Sequence, residues 1–402
     1  MRILVLSTTG HPEANLESAR YFIENKSNID KITVLSTTYM DEQGKTDLLV
    51  QSLKLISQAA IEILNIPNGY EESNMFAIQE MILNWANQHP AKDRFIFNIT
   101  GGTKLMSIAM DRASMLLGSA RAESFYQSRG QHVVWYQRQT NQIVYPINSN
   151  LNLQQRVLSR GYQITKQQPI TDISLEQLRY AQILIDVMKN DFQKGRRFCS
   201  FINKLASMSD DENSLNVHFD NIQAEQAEGL EVLAQITQEA FFSFDSSSSV
   251  IQFKSEETRE YMKGGWLEVY SGYECYKALI GLNPQAELAI NVELKKKDTP
   301  NEMDVMFIHH AHLYCIECKT AKTMAHEQAK DVLYKLSSLQ DFGGINQKQA
   351  VVSLYSLKDY NLTRANNSEI RIFQERDLLN LSQLISEWLQ PKSINISQGI
   401  SL

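Results

Sequence analysis

Apolar and polar positions in the first 150 residues follow two alternating rhythms. Arg2–Ser7 (RILVLS) is a short, nearly continuous apolar run and predicts a buried strand. Asn15–Lys26 has helical spacing, and Lys31–Ser36 is a second β-branched strand. Lys45–Leu64 predicts one long helix, Asn74–His89 another, Arg94–Thr100 (RFIFNIT) a third buried strand and Thr103–Leu117 a further helix. This β-α-β-α order predicts a parallel sheet covered on both faces. Glu123–Gln127 and His132–Tyr136 flank a Ser-Arg-Gly turn at 128–130 and predict an added antiparallel hairpin.

The rhythm changes over 151–258. Leu175–Asn190, Gln193–Ser207 and Asn221–Thr237 predict helices. They are followed by Ala240–Phe244, a polar turn at Asp245–Ser249 and Val250–Phe253. Helices followed by a hairpin resemble a winged helix-turn-helix, a module that binds DNA or couples two domains; with no basic excess, coupling is the preferred role. Residues 259–402 form a third region. Helix Glu260–Ile280 precedes strands Glu287–Lys295, Met303–His309 and Leu313–Lys319. Helix Ala325–Asp341 ends at the stop signal Gly343-Gly344. Gln349–Tyr355 and Glu369–Phe373 are strands, and helix Glu375–Leu389 closes the region. The expected class is α/β in three parts: a Rossmann-like unit at 1–150, a winged-helix-like connector at 151–258 and a mixed α/β unit at 259–402.

The 402 residues, 43% hydrophobic and 21% charged, have the composition of a folded globular chain. No apolar run reaches the roughly 20 residues a membrane span needs, so no membrane partner is expected. Met1 leads straight into the first strand, and no signal peptide is read there. Four cysteines in so long a chain fit a reducing cytoplasm better than a disulfide framework. The formal net charge of -7 excludes a general nucleic-acid coat, so phosphate contacts must come from local basic groups or bound metal.

The strongest chemical signal is Asp304 with Glu317-Cys318-Lys319. Strand side chains alternate faces, so Glu317 and Lys319 share one face and Cys318 takes the other. A hairpin symmetric about the His310–Ala311 bond sets Asp304 opposite Glu317, with Cβ atoms about 4.5–5.5 Å apart. Such close like charges repel, and a divalent cation relieves the repulsion. Carboxylate oxygens suit Mg²⁺ or Mn²⁺. A metal there polarises a phosphoryl oxygen and acidifies bound water. Lys319 would orient that water or stabilise the developing charge. An isolated ExK can also be a cross-strand ion pair on a solvated face. Here, however, Leu313–Ile316 precede it as an apolar run, and two charges ending a buried strand are costly unless used or paired. A third acid, Glu268, lies on the preceding helix within GGWLEVY.

The order of helix acid, strand acid and strand ExK resembles the PD-(D/E)xK nucleases over the last third of the chain. The resemblance implies Asp304 and Glu317 as metal ligands, Lys319 as the assistant to water, Glu268 as an added ligand and the backbone carbonyl of Cys318 as another. Met303 stands where that family often has proline.

A second signal, Asn98-Ile99-Thr100-Gly101-Gly102-Thr103-Lys104, ends a buried strand and starts a helix. Glycines admit close backbone approach and helix N-termini favour anions. The segment is neither a P-loop nor a GxGxxG fingerprint; read alone, it is equally a tight turn with a threonine cap. Ser7-Thr8-Thr9-Gly10 follows the first strand, and both loops fall at the carboxyl ends of parallel strands, where ligands bind. The pair resembles the CARF domain, the cyclic-oligoadenylate sensor of type III CRISPR defence. The full order resembles the CRISPR ancillary nucleases of the single-CARF kind. That resemblance implies a restriction-endonuclease-like C-terminal domain acting on DNA, RNA or both, and cyclic tetra-adenylate as the activator. It also implies a homodimer, whose two-fold axis matches a two-fold ring. Thr8, Thr9, Gly10, Asn98, Thr100, Gly101, Gly102, Thr103 and Lys104 are the implied ligand contacts. The alternatives are a ligand-controlled transcription regulator built on the connector and a repair nuclease with no second messenger.

Other signals carry less. Cys315 and Cys318 spell CxxC, but strand geometry parts them, so buried small residues are expected rather than zinc ligands. His309, His310 and His312 are expected in a solvated turn. Lys295–Lys297 and the group Lys194, Arg196 and Arg197 are expected to be solvated charges, with phosphate contact as the other reading.

Overall fold

The computed structural model describes residues 1–390 apart from positions 11, 26–28, 128–131, 137–141, 147–150, 212–214, 219–221, 284–285, 311, 326–328 and 340–346. The 128–130 turn, Ala311, the Gly343-Gly344 stop and the expected helix ends at Lys26, Asn221 and Asp341 lie outside the described residues.

In the N-terminal sheet the strands are β1 (Arg2–Ser7), β2 (Lys31–Thr37), β3 (Ala60–Ile66), β4 (Arg94–Asn98), β5 (Ala122–Gln127), β6 (His132–Tyr136) and β7 (Gln142–Pro146). Their spatial order is β3-β2-β1-β4-β5-β6-β7. The first five are parallel, and β6 and β7 add antiparallel strands at one edge. Helices α1 (Glu13–Asn25) and α2 (Lys45–Lys54) cover one face, packing Leu16, Phe22, Leu49 and Leu53 against Leu4 and Leu6. Helices α3 (Met75–Asn87) and α4 (Lys104–Leu117) cover the other, packing Ile78, Ile82, Met106 and Met110 against Ile3 and Val5. Consecutive side chains of β1 thus enter opposite cores, as alternation on a doubly covered strand requires.

One expected element is corrected. The helix predicted over Lys45–Leu64 ends at Lys54, and Ala60–Ile66 is a strand paired with β2 in parallel register from Lys31–Ala60 to Thr37–Ile66. This strand is at the sheet edge, so Ile63 is left exposed while Ile66 is buried. Its apolar residues do not alternate cleanly and imitate the continuation of a helix.

Beyond this unit come the short helix α5 (Leu153–Leu158) and strand β8 (Gln163–Pro169). Helices α6 (Leu175–Asn190), α7 (Phe192–Asp211) and α8 (Ala224–Ile236) come next in the chain. With them goes a three-stranded sheet of β9 (Asn216–His218), β10 (Phe242–Asp245) and β11 (Val250–Phe253), ordered β10-β11-β9. This is the segment for which a winged-helix-like connector is expected. It shares one core with the C-terminal unit: Tyr180, Leu184 and Phe242 belong to the same buried cluster as Trp266, Val305 and Phe307.

The C-terminal unit starts with a helical turn at Glu256–Glu260, a π-helical turn at Tyr261–Gly265 and helix α9 (Trp266–Ile280), a π-interrupted segment in place of the regular helix expected from Glu260. Strands β12 (Leu288–Lys296), β13 (Thr299–His309) and β14 (His312–Lys319) form an antiparallel meander. Helix α10 (Ala329–Ser338) then crosses to β15 (Gln347–Ser353), which is parallel to β14. Helix α11 (Asp359–Asn367) leads to β16 (Ile370–Gln374), and α12 (Leu381–Leu389) comes after a 3-10 turn at Glu375–Asn380. The sheet order is β16-β15-β14-β13-β12-β8. Its outer member β8 comes from the 151–258 segment and pairs with β12. No helix among the described residues is long and apolar enough to cross a membrane.

Candidate nuclease centre and ligand loops

The β13–β14 hairpin pairs His309 with His312 and Val305 with Ile316, and the next pair in that register is Asp304 with Glu317. Asp304 and Glu317 are both buried. Lys319 lies on the same strand face as Glu317, with Nζ 2.7 Å from Glu317 Oε1 and 3.8 Å from Asp304 Oδ2. The Cys318 backbone N–H donates to Asp304 Oδ2 at 2.5 Å. Glu268 enters from the first turn of α9. The π turn just before it is a local widening of a kind that often marks functional helices. At the π turn a Cβ on Gly264 would stand 3.2 Å from Thr320 Oγ1, so the turn lies directly against the end of β14.

The electrostatics agree with a concentrated acidic site. Burial, and after it the Asp304 charge, pushes the Glu268 carboxyl up to about 8. Burial, and after it Glu317, pushes Asp304 up to about 7. For Lys319, burial opposes the charge, but Asp304 and Glu317 outweigh it and raise its pKa above the usual lysine range. These are groups whose repulsion an opposite charge relieves. Sequence reasoning missed one such charge. Lys335 on α10 places Nζ 2.9 Å from each Glu317 oxygen.

The buried carboxylates of Asp304 and Glu317 and the half-buried one of Glu268 are hard oxygen donors, a set that fits Mg²⁺ or Mn²⁺ chemically. Among the described residues no three His, Cys, Asp or Glu side chains stand in a ready-made metal cage. Glu317 is held by two lysines and Asp304 by the Cys318 N–H, and these partners are what a bound cation would have to rearrange.

Several side signals resolve simply. Cys315 and Cys318 are buried in separate cores on opposite faces of the sheet. His309 is buried rather than solvated, and burial, then His310 and His312, pushes its pKa down to about 4. Arg196 pairs with Glu375 at 2.6 Å and lies over the Tyr355 ring, while Lys194 pairs with Glu225. Lys295 pairs with Asp298, and Lys296 sits over Tyr162.

In the N-terminal unit the two expected loops meet at the junction of β1 and β4, where strand order reverses. A Cβ on Gly101 would lie 3.1 Å from Ser7 Oγ, and one on Gly102, whose φ is +83°, would lie 3.0 Å from it. These glycines therefore let the loops touch each other. Asn98 is turned inward: its amide donates to Asn15 Oδ1 at 3.0 Å and Ser18 Oγ at 2.9 Å, and its carbonyl oxygen accepts the Thr100 N–H at 3.0 Å. Thr100 Oγ1 accepts the Gln127 N–H, and Thr103 caps α4 by accepting the Met106 N–H. Thr8 is buried against Thr46. Gly10, Gly102 and Lys104 are exposed, and Thr9 is half-buried. Ser7, which opens the first loop but was not among the expected contacts, has a buried hydroxyl with no hydrogen-bond partner among the described residues.

Comparisons with known proteins bear on both sites. Residues 12–157 match the family described as the Card1 CARF domain, and residues 255–391 match the Card1-like endonuclease domain. No curated protein sequence matches the chain. Protein VC1899 from Vibrio cholerae superposes with a TM-score of 0.80 at 18% identity, covering 96% of this chain and 98% of that one. Can2 from Sulfobacillus thermosulfidooxidans, solved in complex with cyclic tetra-adenylate, gives 0.74 at 18% identity, covering 97% and 100%. A type III CRISPR defence DNA nuclease activated by cyclic oligoadenylate gives 0.52 at 12% identity, covering 89% of this chain and 47% of that one. At these identities the three structures speak for the fold, while the two domain matches speak for the kind of protein. The chain joins a Card1-type CARF domain to a Card1-like endonuclease domain and belongs with the CRISPR ancillary nucleases of the single-CARF kind.

Proposed function

We propose that this protein is a metal-dependent endonuclease that hydrolyses phosphodiester bonds of DNA, RNA or both and is switched on by cyclic tetra-adenylate. The observation that carries the reading is the convergence of Asp304, Glu317 and Lys319 at one end of the β13–β14 hairpin. Asp304 and Glu317, with Glu268 from α9 and the Cys318 carbonyl, would hold Mg²⁺ or Mn²⁺. The bound ion supplies a Lewis acid for the phosphodiester. Lys319 keeps its proton beside the acids and stabilises negative charge developing on phosphate oxygens. Thr9, Gly10, Gly102, Thr103 and Lys104 contact the activator, while Thr8, Asn98, Thr100 and Gly101 fix the shape of the loops. The Can2 complex supports the choice of cyclic tetra-adenylate.

A homodimer is part of this proposal. Ile108, Met115 and Leu116 form an exposed apolar stripe on α4, beside exposed Phe76 of α3. Their spacing puts them on one helix face, suited to an isologous contact with a second copy.

The test mixes the full chain with Mn²⁺ and single-stranded DNA, single-stranded RNA or supercoiled plasmid, with and without cyclic tetra-adenylate. Cutting is expected only with both activator and metal, and EDTA abolishes it. Lys319→Ala is expected to lose at least about 100-fold in rate while still binding the activator. Undiminished cutting by Lys319→Ala would overturn the site; cutting indifferent to the activator would overturn the switch.

A further inference from the structure

Helix α5 is held on two sides by different parts of the molecule. On one side Leu153 and Val157 are buried in the C-terminal core with Val292, Leu294, Met303 and Met306. The Leu153 N–H also donates to Glu287 Oε2 at 2.8 Å. On the other side Arg156 is buried and pairs with Glu17 of α1. Glu17 Oε2 accepts from Gln127 Nε2 at 2.8 Å, and the Gln127 N–H donates to Thr100 Oγ1 at 2.7 Å. One turn after Arg156, Arg160 Nη1 donates to the Gly10 carbonyl at 3.0 Å. Both ligand loops are therefore tied to a single short helix that is rooted in the nuclease core.

The exit from α5 is also short. Gly161, with φ +81°, turns the chain, and Gln163 already pairs with Lys295 of β12. The register between β8 and β12 slips between Ile290 and Glu293. Asn291, inside the slip, has φ +52°, a conformation uncommon for a residue with a side chain. Ile290 pairs with Val305 and Val292 with Met303, so Asn291 stands opposite Asp304 on β13. An irregular, strained step in the sheet thus lies beside a carboxylate of the nuclease centre.

We propose that Arg160 is an activator-binding residue contributed from outside the two loops, and that α5 and β8 carry its engagement to Asp304 through β12. This rests on the cyclic-oligoadenylate reading of the N-terminal unit. The chemistry comes from the guanidinium, whose planar fork of donors matches phosphate oxygens. Gly10 is exposed, and nothing lies within 4 Å of where its Cβ would be, so the group meets the loop at an open rim. A phosphodiester of the ring seated on Thr9 and Gly10 draws Arg160 towards it. The turn that carries Arg160 is three residues from the first β8 pair, so its movement reaches the sheet.

The test measures binding of labelled cyclic tetra-adenylate to the full chain in EDTA, together with amide hydrogen exchange of residues 163–169. Arg160→Ala and Arg160→Gln are both made; the second keeps a polar amide donor while removing the charge and the guanidinium fork. In the wild type, the activator is expected to change exchange in 163–169. Both variants are expected to bind at least 10-fold more weakly, and at saturating activator to leave exchange in 163–169 unchanged. Affinity within twofold of wild type for Arg160→Gln would overturn the contact. A wild-type exchange response in the saturated variants would overturn the transmission. If the wild type itself fails to bind, the activator reading falls, and this inference with it.

Discussion

The Lys335 ammonium nitrogen is equidistant, at 2.9 Å, from the two carboxylate oxygens of Glu317. A symmetric contact of that kind occupies the lone pairs a cation would use. Lys335 is partly exposed while Glu317 is buried, so the lysine can leave for water more cheaply than the acid can. Lys335 and a divalent ion thus compete for one ligand. Lys335→Gln is expected to tighten Mn²⁺ binding about 3–10-fold, a gain of about 1 kcal/mol, as befits the loss of a partly solvated ion pair. Titration calorimetry with Mn²⁺ alone, without nucleic acid, checks this. Weaker binding by the variant would show that Lys335 supports the metal arrangement instead of opposing it.

The raised carboxyls of Asp304 and Glu268 make a prediction about stability and pH. An acid whose pKa is higher in the folded than in the unfolded state favours the folded state most when protonated. That contribution is complete below the unfolded value of about 4 and is lost as pH rises through the folded values of about 7 and 8. In the presence of EDTA, the unfolding temperature set by these groups therefore falls between pH 5 and pH 8. Asp304→Asn, which cannot ionise, is expected to flatten that fall and to exceed the wild type at pH 8. Thermal unfolding across the pH range measures it. An equally steep fall in the variant would mean that Asp304 is not the burdened group.

Much of this centre was legible because strand periodicity is unforgiving. Two acids and a lysine on a hairpin whose pairing sums are constant must share a face, and the observed register leaves Asp304 opposite Glu317 as expected. Lys335 was not legible, because its contact crosses from a helix to the sheet and no spacing in the sequence marks such a meeting. The Lys45–Leu64 segment misled because an edge strand need not hide one face, and Ile61, Ile63 and Leu64 read equally well as helix. The role of α5 was hidden too. Its six residues carry no motif, and its importance lies in partners more than 100 positions away: Arg156 to Glu17, Arg160 to Gly10, Leu153 to Glu287.

Asn98 illustrates how a residue beside a ligand loop can act from inside. Its amide and carbonyl join α1, through the buried Asn15 and Ser18, to the half-buried Thr100 turn. Removing a buried side chain that satisfies several polar groups costs about 1–3 kcal/mol for the partners left unpaired. Asn98→Ala is therefore expected to lower the stability of the N-terminal unit by at least that amount and to weaken activator binding through loss of loop shape. Asn98→Asp keeps the acceptor for the Thr100 N–H but buries a charge and turns an acceptor on the Asn15 amide oxygen, and is expected to be at least as destabilising as alanine. Denaturant unfolding of the two variants, read beside activator affinity, checks the order.

The dimer prediction depends on the outward face of α4. Met115 and Leu116 are 57% and 63% exposed, and Phe76 on the neighbouring helix is 64% exposed. Arg112 lies over the Phe76 ring and donates to Gln79, which holds the polar part of this face in place beside the apolar stripe. A cluster of large apolar side chains left in water is unfavourable, at about 25 cal/mol per Å², and covering it with the same cluster of a second copy removes the cost for both. Replacing Met115 by Glu sets two like charges against each other across a two-fold axis, so one substitution acts twice. Met115→Glu is expected to shift the protein from dimer to monomer in sedimentation at micromolar concentration and to remove the concentration dependence of its unfolding temperature. Activator affinity falls with it if the ring spans both copies. A variant that stays dimeric and binds as the wild type does would move the interface elsewhere on the molecule.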